Sequence, residues 1–189
     1  MIGRRKHAFG VPLAVWIIIL LAVVAVAIAL EERSGILEPG TPAPDFSATL
    51  SNGERISLRE FRGRNSVVLF FYPGDFTQGC TRQACAFRDG YTELTEAGAV
   101  LFGVSSDSDA SHRDFSQTYR LPYPLISDVD RAISRAYGVE RLGGALPLPK
   151  RVTYVVDKEG IVRAAIHHEV MIGRHVTDVR EALRQLAGK

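Results

Sequence analysis

Residues 66–89 read SVVLFFYPGDFTQGCTRQACAFRD, a hydrophobic run that passes through a loop into a polar, helix-compatible segment. Val67, Val68, Leu69, Phe70 and Phe71 form a short apolar run of the kind that fills a buried strand. Pro73-Gly74-Asp75 ends it, because proline lacks an amide hydrogen and glycine takes backbone angles a strand does not use. Thr77 then stands as candidate N-cap of a helix whose first turns carry Cys80 and Cys85, the only two cysteines of the chain. The unpaired amides and partial positive charge at a helix start favour thiolate over thiol, and thiolate is the nucleophilic form.

Upstream, Asp45 to Leu50 and Arg55 to Leu58 read as short strands around the turn Ser51-Asn52-Gly53, with a single helical turn over Arg59 to Gly63. Downstream, apolar and polar segments alternate. Ala99 to Val104 is strand-like, Ser108 to Tyr119 a capped helix, Tyr123 to Ile126 a short strand and Asp128 to Tyr137 a helix. Val152 to Val156 and Ile161 to Ile166 are strands joined by the turn Asp157-Lys158-Glu159-Gly160, and Val176 to Leu186 is an amphipathic closing helix. This alternation predicts an α/β fold, and the tight turn between the last two strands makes its central β-sheet mixed.

The N-terminus has a different character. Val11 to Leu30 holds twenty residues without a charge, enough to cross a bilayer core as one transmembrane helix. Residues 1–10 carry Arg4, Arg5 and Lys6 and no acid, while Glu31, Glu32 and Arg33 follow the apolar run. The positive-inside rule then puts residues 1–10 in the cytoplasm and the globular part outside it. A signal peptide shares this pattern, but its apolar core is about 7–15 residues, so an uncleaved anchor is expected, with cleavage near Ala27-Ile28-Ala29 as the alternative. Trp16 is expected inside the membrane or at its interface. Proline and glycine mark residues 31–41 as a tether, leaving residues 42–189 as the folded domain.

The formal net charge of +2 carries no argument for nucleic-acid binding. The basic cluster accounts for three of the 23 basic side chains, and the remaining 20 face 21 acids. No metal site or cofactor is expected: His167 and His168 point to opposite faces of a strand, and His112 and His175 are read as surface residues. Two cysteines in an exported domain are commonly a structural disulfide. Here the spacing of five argues against it, since so short a loop would distort a helix for little entropic gain.

The segment Pro73-Gly74-Asp75-Phe76-Thr77-Gln78-Gly79-Cys80 fits Pro-x-x-x-Thr-x-x-Cys, and so resembles the active-site signature of the peroxiredoxins, thiol peroxidases of the thioredoxin fold. Cys80-Thr81-Arg82-Gln83-Ala84-Cys85, with Phe87-Arg88-Asp89 after it, is similar to the bacterioferritin comigratory protein, or peroxiredoxin Q, branch. So are Gly40 to Phe46 and the strand Arg151 to Asp157. The resemblance implies a thioredoxin-like fold and a role for each matching residue. Cys80 would be the peroxidatic nucleophile, Thr77 would position the peroxide, Arg151 would stabilise the thiolate and the transition state, and Pro73 would shield the sulfur. Cys85 would be the resolving thiol, giving a Cys80–Cys85 disulfide that a thioredoxin-like donor reduces. The substrates implied are hydrogen peroxide and organic hydroperoxides, and a monomer is expected.

Residues five apart in an ideal helix are separated by about 8.7 Å between Cα atoms. A disulfide tolerates roughly 4.4–6.8 Å, so resolution requires the first turns of the helix to unwind. Two rival readings share the fold: a membrane-tethered thiol-disulfide oxidoreductase, which would need Cys-x-x-Cys, and a redox-inactive binding module, which has no use for Pro73, Thr77, Cys80 and Arg151 together.

Overall fold

The computed structural model describes residues 12–33, 35–140 and 148–188. Two units separate at the boundary between residues 34 and 35. Among its described residues the first holds one helix, α1 (Leu13–Arg33), about 31 Å long at the usual rise. Its described side chains, residues 14–24 and Val26, are all exposed, Trp16 among them. Among the described residues no helix is long and apolar enough to cross a membrane. The expected span over residues 11–30 is thus not found there. It reaches past the described side chains at both ends, and the basic cluster Arg4-Arg5-Lys6 lies outside the described residues.

The second unit is built on a five-stranded mixed sheet. In chain order come β1 (Ser47–Thr49), β2 (Arg55–Ser57), a 3-10 turn (Leu58–Phe61), β3 (Ser66–Phe71), α2 (Gln78–Asp89), α3 (Tyr91–Glu96), β4 (Ala99–Ser105) and α4 (Asp109–Tyr119). Then follow β5 (Leu125–Ser127), α5 (Ala132–Ala136), β6 (Val152–Val156), β7 (Val162–His167) and α6 (Arg174–Ala187). The strand order is β5-β4-β3-β6-β7, with β3, β4 and β5 parallel and β6 and β7 antiparallel additions; β1 and β2 form a separate antiparallel ribbon.

Strand β3 is central and buried on both faces, which is why its sequence is apolar without alternation. Its side chains still alternate in destination. Val67, Leu69 and Phe71 enter one core layer with Phe102, Tyr137 and Tyr154. Val68, Phe70 and Tyr72 enter the other, against Cys80, Ala84 and Phe87 of α2 and Val176, Val179 and Leu183 of α6. Cys80, Ala84 and Phe87 fall at i, i+4 and i+7, one stripe of the helix. The ring of Phe70 stacks on Phe87 at 4.7 Å, and Gly103 on the adjacent strand makes room: a Cβ there would lie 2.6 Å from that ring.

Several boundaries differ from the sequence reading. The expected helix over 128–137 shrinks to α5, because Asp128 turns back to accept from the amides of Ile133 and Ser134 and the Ser134 hydroxyl. Helix α3 was not anticipated. A tether was expected over residues 31–41. Helix α1 runs through Arg33, and from Ile36 the chain lies on the domain. There the Leu37 amide donates to the Tyr154 hydroxyl, the Gly40 amide to the Val162 carbonyl, the Val162 amide to the Thr41 carbonyl and the Ala43 amide to the Gly160 carbonyl. Prolines 39, 42 and 44 fit this path because it needs few of their missing donors.

Candidate active site

The parallel strands β3 and β4 end side by side, and the loops after them meet above the sheet. The antiparallel register pairs Phe71 with Val152, so Arg151 falls at the same edge, over the start of α2. Cys80 in the first turn of α2 is 1% exposed, and Arg151 is 6% exposed. Arg151 Nη2 stands 3.4 Å from Cys80 Sγ. Its Nη1 donates to Gln83 Oε1 at 2.5 Å, and its backbone amide donates to Glu169 Oε1 at 3.2 Å. A planar fork anchored by Gln83 on one terminal nitrogen thus presents the other to the sulfur. Gly79 is the residue that permits the approach, since a Cβ there would lie 3.1 Å from Arg151 Nη2.

Gln83 is fully buried, one turn after Cys80, and the sequence reading passed over it. Among the described residues its Nε2 and Arg151 Nε are buried without an acceptor, so the pair that adjoins the sulfur keeps two uncommitted donors. Thr77 occupies the N-cap position of α2, but its hydroxyl does not cap the helix. It donates to the Gly74 carbonyl at 3.2 Å, closing the loop on itself. Pro73 is half-buried within that loop. Cys85 is half-buried on the same continuous helix as Cys80, and both cysteines are free thiols. Between them, the Ala84 carbonyl accepts from the Tyr123 hydroxyl at 2.7 Å.

The loop is held from below by a buried polar cluster. Asp75 accepts from the Tyr72 hydroxyl at 2.8 Å and the Ser111 hydroxyl at 2.7 Å, and pairs with His112 Nδ1 at 2.8 Å. The Asp75 amide donates to Asp107, which also accepts from Ser105. Burial, with the Asp75 carboxylate beside it, raises the Tyr72 phenol well above its usual value and keeps it a donor. The expectation that His112 and His175 are surface residues is overturned, for both are fully buried. His112 lies on the same stripe of α4 as Phe115, and His175 precedes Val176 and Val179 on the inner face of α6. His175 accepts from Thr153 and donates to the His168 carbonyl, and desolvation by burial, its largest influence, lowers it to about 4. Among the described residues no cluster of three or more metal-ligating side chains forms.

Residues 39–165 match the AhpC/TSA family. The chain belongs to that family. Within it, the similarity is to the peroxiredoxin Q branch. The chloroplastic peroxiredoxin Q of Oryza sativa subsp. japonica is 40% identical over 153 residues, covering 80% of this chain and 69% of that one. A putative peroxiredoxin bcp of Coxiella burnetii is 40% identical over 147 residues, covering 76% and 96%. Among solved structures, peroxidoxin BcpB from Mycobacterium tuberculosis superposes with a TM-score of 0.74 at 34% identity, over 79% of this chain and 98% of that one. Peroxiredoxin Q of Xanthomonas campestris gives 0.71 at 34% identity, over 81% and 98%. The fold is the thioredoxin-like peroxiredoxin fold, and the chain is a thiol-dependent peroxidase, an oxidoreductase.

Proposed function

We propose that Cys80 is the nucleophile of this peroxidase, and the observation that carries the assignment is the Arg151 guanidinium 3.4 Å from its sulfur in a site closed to bulk water. Attack on the terminal peroxide oxygen makes the S–O bond and breaks the O–O bond, leaving Cys80 sulfenic acid and water or an alcohol. Arg151 stabilises negative charge first on sulfur and then on the departing oxygen. The Thr77 hydroxyl, close to this edge through Gly74, orients the peroxide, and Pro73 shields the sulfur without adding a donor. Cys85 condenses with the sulfenic acid to an intramolecular disulfide, which a thioredoxin-like dithiol reduces. The separation of about 8.7 Å fixed by the helix supports a resolving step that unwinds α2.

The placement of residues 11–30 as a membrane anchor with the domain outside the cytoplasm rests on the uncharged run and the basic flank before it. Full-length protein that stays with membranes through a carbonate wash, with the domain open to protease added outside, supports that placement. Protection of the domain reverses it.

Trypsin tests the cysteine chemistry. Cleavage after Arg64, Arg82 and Arg88 puts Cys80 and Cys85 in different peptides. One equivalent of peroxide links these peptides, a dithiol separates them, and peroxide is consumed catalytically when thioredoxin and its reductase are present. Reduction of insulin disulfides in place of peroxide consumption would favour the oxidoreductase reading, and neither activity would favour a binding module.

A further inference from the structure

The loop that carries Thr77 into α2 is fastened to α4 at two consecutive residues. Asp75 is fastened by hydrogen bonds, its carboxylate accepting from Ser111 and pairing with His112 at the start of α4. Phe76 is fastened by packing: its ring meets Phe115 edge-on at 5.1 Å and Tyr119 at 6.2 Å. Phe76 also has φ of 57°, the left-handed region, where a residue with a side chain is strained by about 1–2 kcal/mol. Such a conformation persists only where its surroundings hold it. The start of α2 has no hydroxyl cap of its own, since Thr77 bonds backward to Gly74. The first turn of the helix is therefore positioned by what α4 does to the loop.

His112 is held on both sides of its ring. Its Nε2 lies 3.2 Å from the Ile126 carbonyl and its Nδ1 2.8 Å from Asp75, so both ring nitrogens face acceptors. The other groups facing the pair are the Tyr72 and Ser111 hydroxyls, with Asp107 bonded to the Asp75 amide. Both side chains are essentially without solvent contact. Breaking one member of such a buried cluster leaves the others unpaired.

We propose that the Asp75–His112 pair is a latch on α2: it sets how often the first turns of the helix unwind, and so how the Cys80 sulfenic acid divides between its two fates. In one, the sulfenic acid and the Cys85 thiol condense to a disulfide and water. In the other, a second peroxide transfers an oxygen to the same sulfur, giving sulfinic acid and water or an alcohol. Unwinding serves only the first branch. A tight latch therefore favours over-oxidation and a loose one favours resolution. Asp75 and His112 act through the helix and are positioning residues. The inference rests on the two-cysteine reading above.

The test measures hydrogen exchange on the reduced full-length protein together with the peroxide concentration that converts half of Cys80 to sulfinic acid. In Asp75→Ala, the α2 amides from Thr81 to Cys85 are expected to exchange about tenfold faster, equivalent to about 1.4 kcal/mol. The β3 amides should keep their wild-type rates, and the sulfinic threshold should rise severalfold. Asp75→Asn should restore most of the wild-type behaviour, because an amide of the same shape still offers hydrogen-bonding partners to His112 Nδ1 and to the Tyr72 and Ser111 hydroxyls. Ser111→Ala removes one donor and should fall between, giving a reading if Asp75→Ala does not fold. Equal acceleration across α2 and β3, unchanged exchange in α2, or faster exchange with an unmoved threshold would each overturn the latch. If wild-type protein forms no linked Cys80 and Cys85 peptides, the resolving role of Cys85 falls, while the exchange rates still decide whether the pair holds α2.

Discussion

At Arg151 the shape of the cation matters as much as its charge. One nitrogen is committed to Gln83 and another to the sulfur, an arrangement a lysine ammonium cannot reproduce. Arg151→Lys is expected to lower the rate constant of Cys80 with peroxide at least tenfold, about 1.4 kcal/mol of transition-state stabilisation, measured by competition or stopped flow. Unaltered kinetics would remove the guanidinium from the chemistry. Cys85→Ser has the opposite profile: the first oxidation stays fast, turnover with a thioredoxin-like donor falls sharply, and Cys80 accumulates as sulfenic and then sulfinic acid by mass spectrometry. Normal turnover in that variant would make Cys85 a packing residue. Gln83 was not read from the sequence because a glutamine three residues after a cysteine is ordinary on an exposed helix. Its signal was the spacing, which places it on the buried side beside Cys80 and Ala84.

Helix α6 shows what a pattern of apolar residues conceals. Val179 and Leu183 mark its inner face, and His175 lies one turn before Val179 on the same face, so periodicity alone would have buried it. Composition argued the other way, because histidines are mostly at least partly exposed. Burial decided, and the fold supplies Thr153 and the His168 carbonyl as partners. The same contest hid His112 on α4. By contrast β3, the loop and α2 were legible because their signals agree: apolar run, Pro-Gly break, polar helix. Arg151 is 71 residues from Cys80 in the chain, and only the resemblance pointed to it before the β3–β6 register brought it there. The lowered value of His175, about 4, has a measurable consequence. The unfolded chain takes up this proton near pH 6.5 and the folded chain only near 4, so the contribution to stability is complete above 6.5 and declines as pH falls towards 4. The unfolding free energy of the wild type, from denaturant titrations, should drop across that window by the order of 2–3 kcal/mol, and His175→Leu should flatten this part of the drop. A parallel decline in both proteins would assign the acid sensitivity to other groups.

For the molecule as a whole, the segment over residues 36–43 belongs to the folded domain. A chain beginning at Gly35 should melt like the full-length domain, whereas one beginning at Asp45 should lose roughly 2–4 kcal/mol, since Ile36, Leu37 and Ala43 leave the core and the Tyr154 hydroxyl loses its Leu37 donor. Equal melting temperatures would show that the segment is only laid on the surface. The distribution of aromatic residues has a different consequence. The single tryptophan stands at position 16, outside the sheet domain, while all six tyrosines lie within it. Ultraviolet emission from a chain beginning at Gly35 therefore comes from tyrosine alone. One of these phenols, Tyr123, is bonded to the carbonyl of Ala84, inside the stretch that the proposed resolving step would open between the two cysteines. An opening of that stretch would take the acceptor from the phenol and change its surroundings, so the proposed resolving step predicts a change in tyrosine emission in each catalytic cycle, readable at neutral pH without an attached dye.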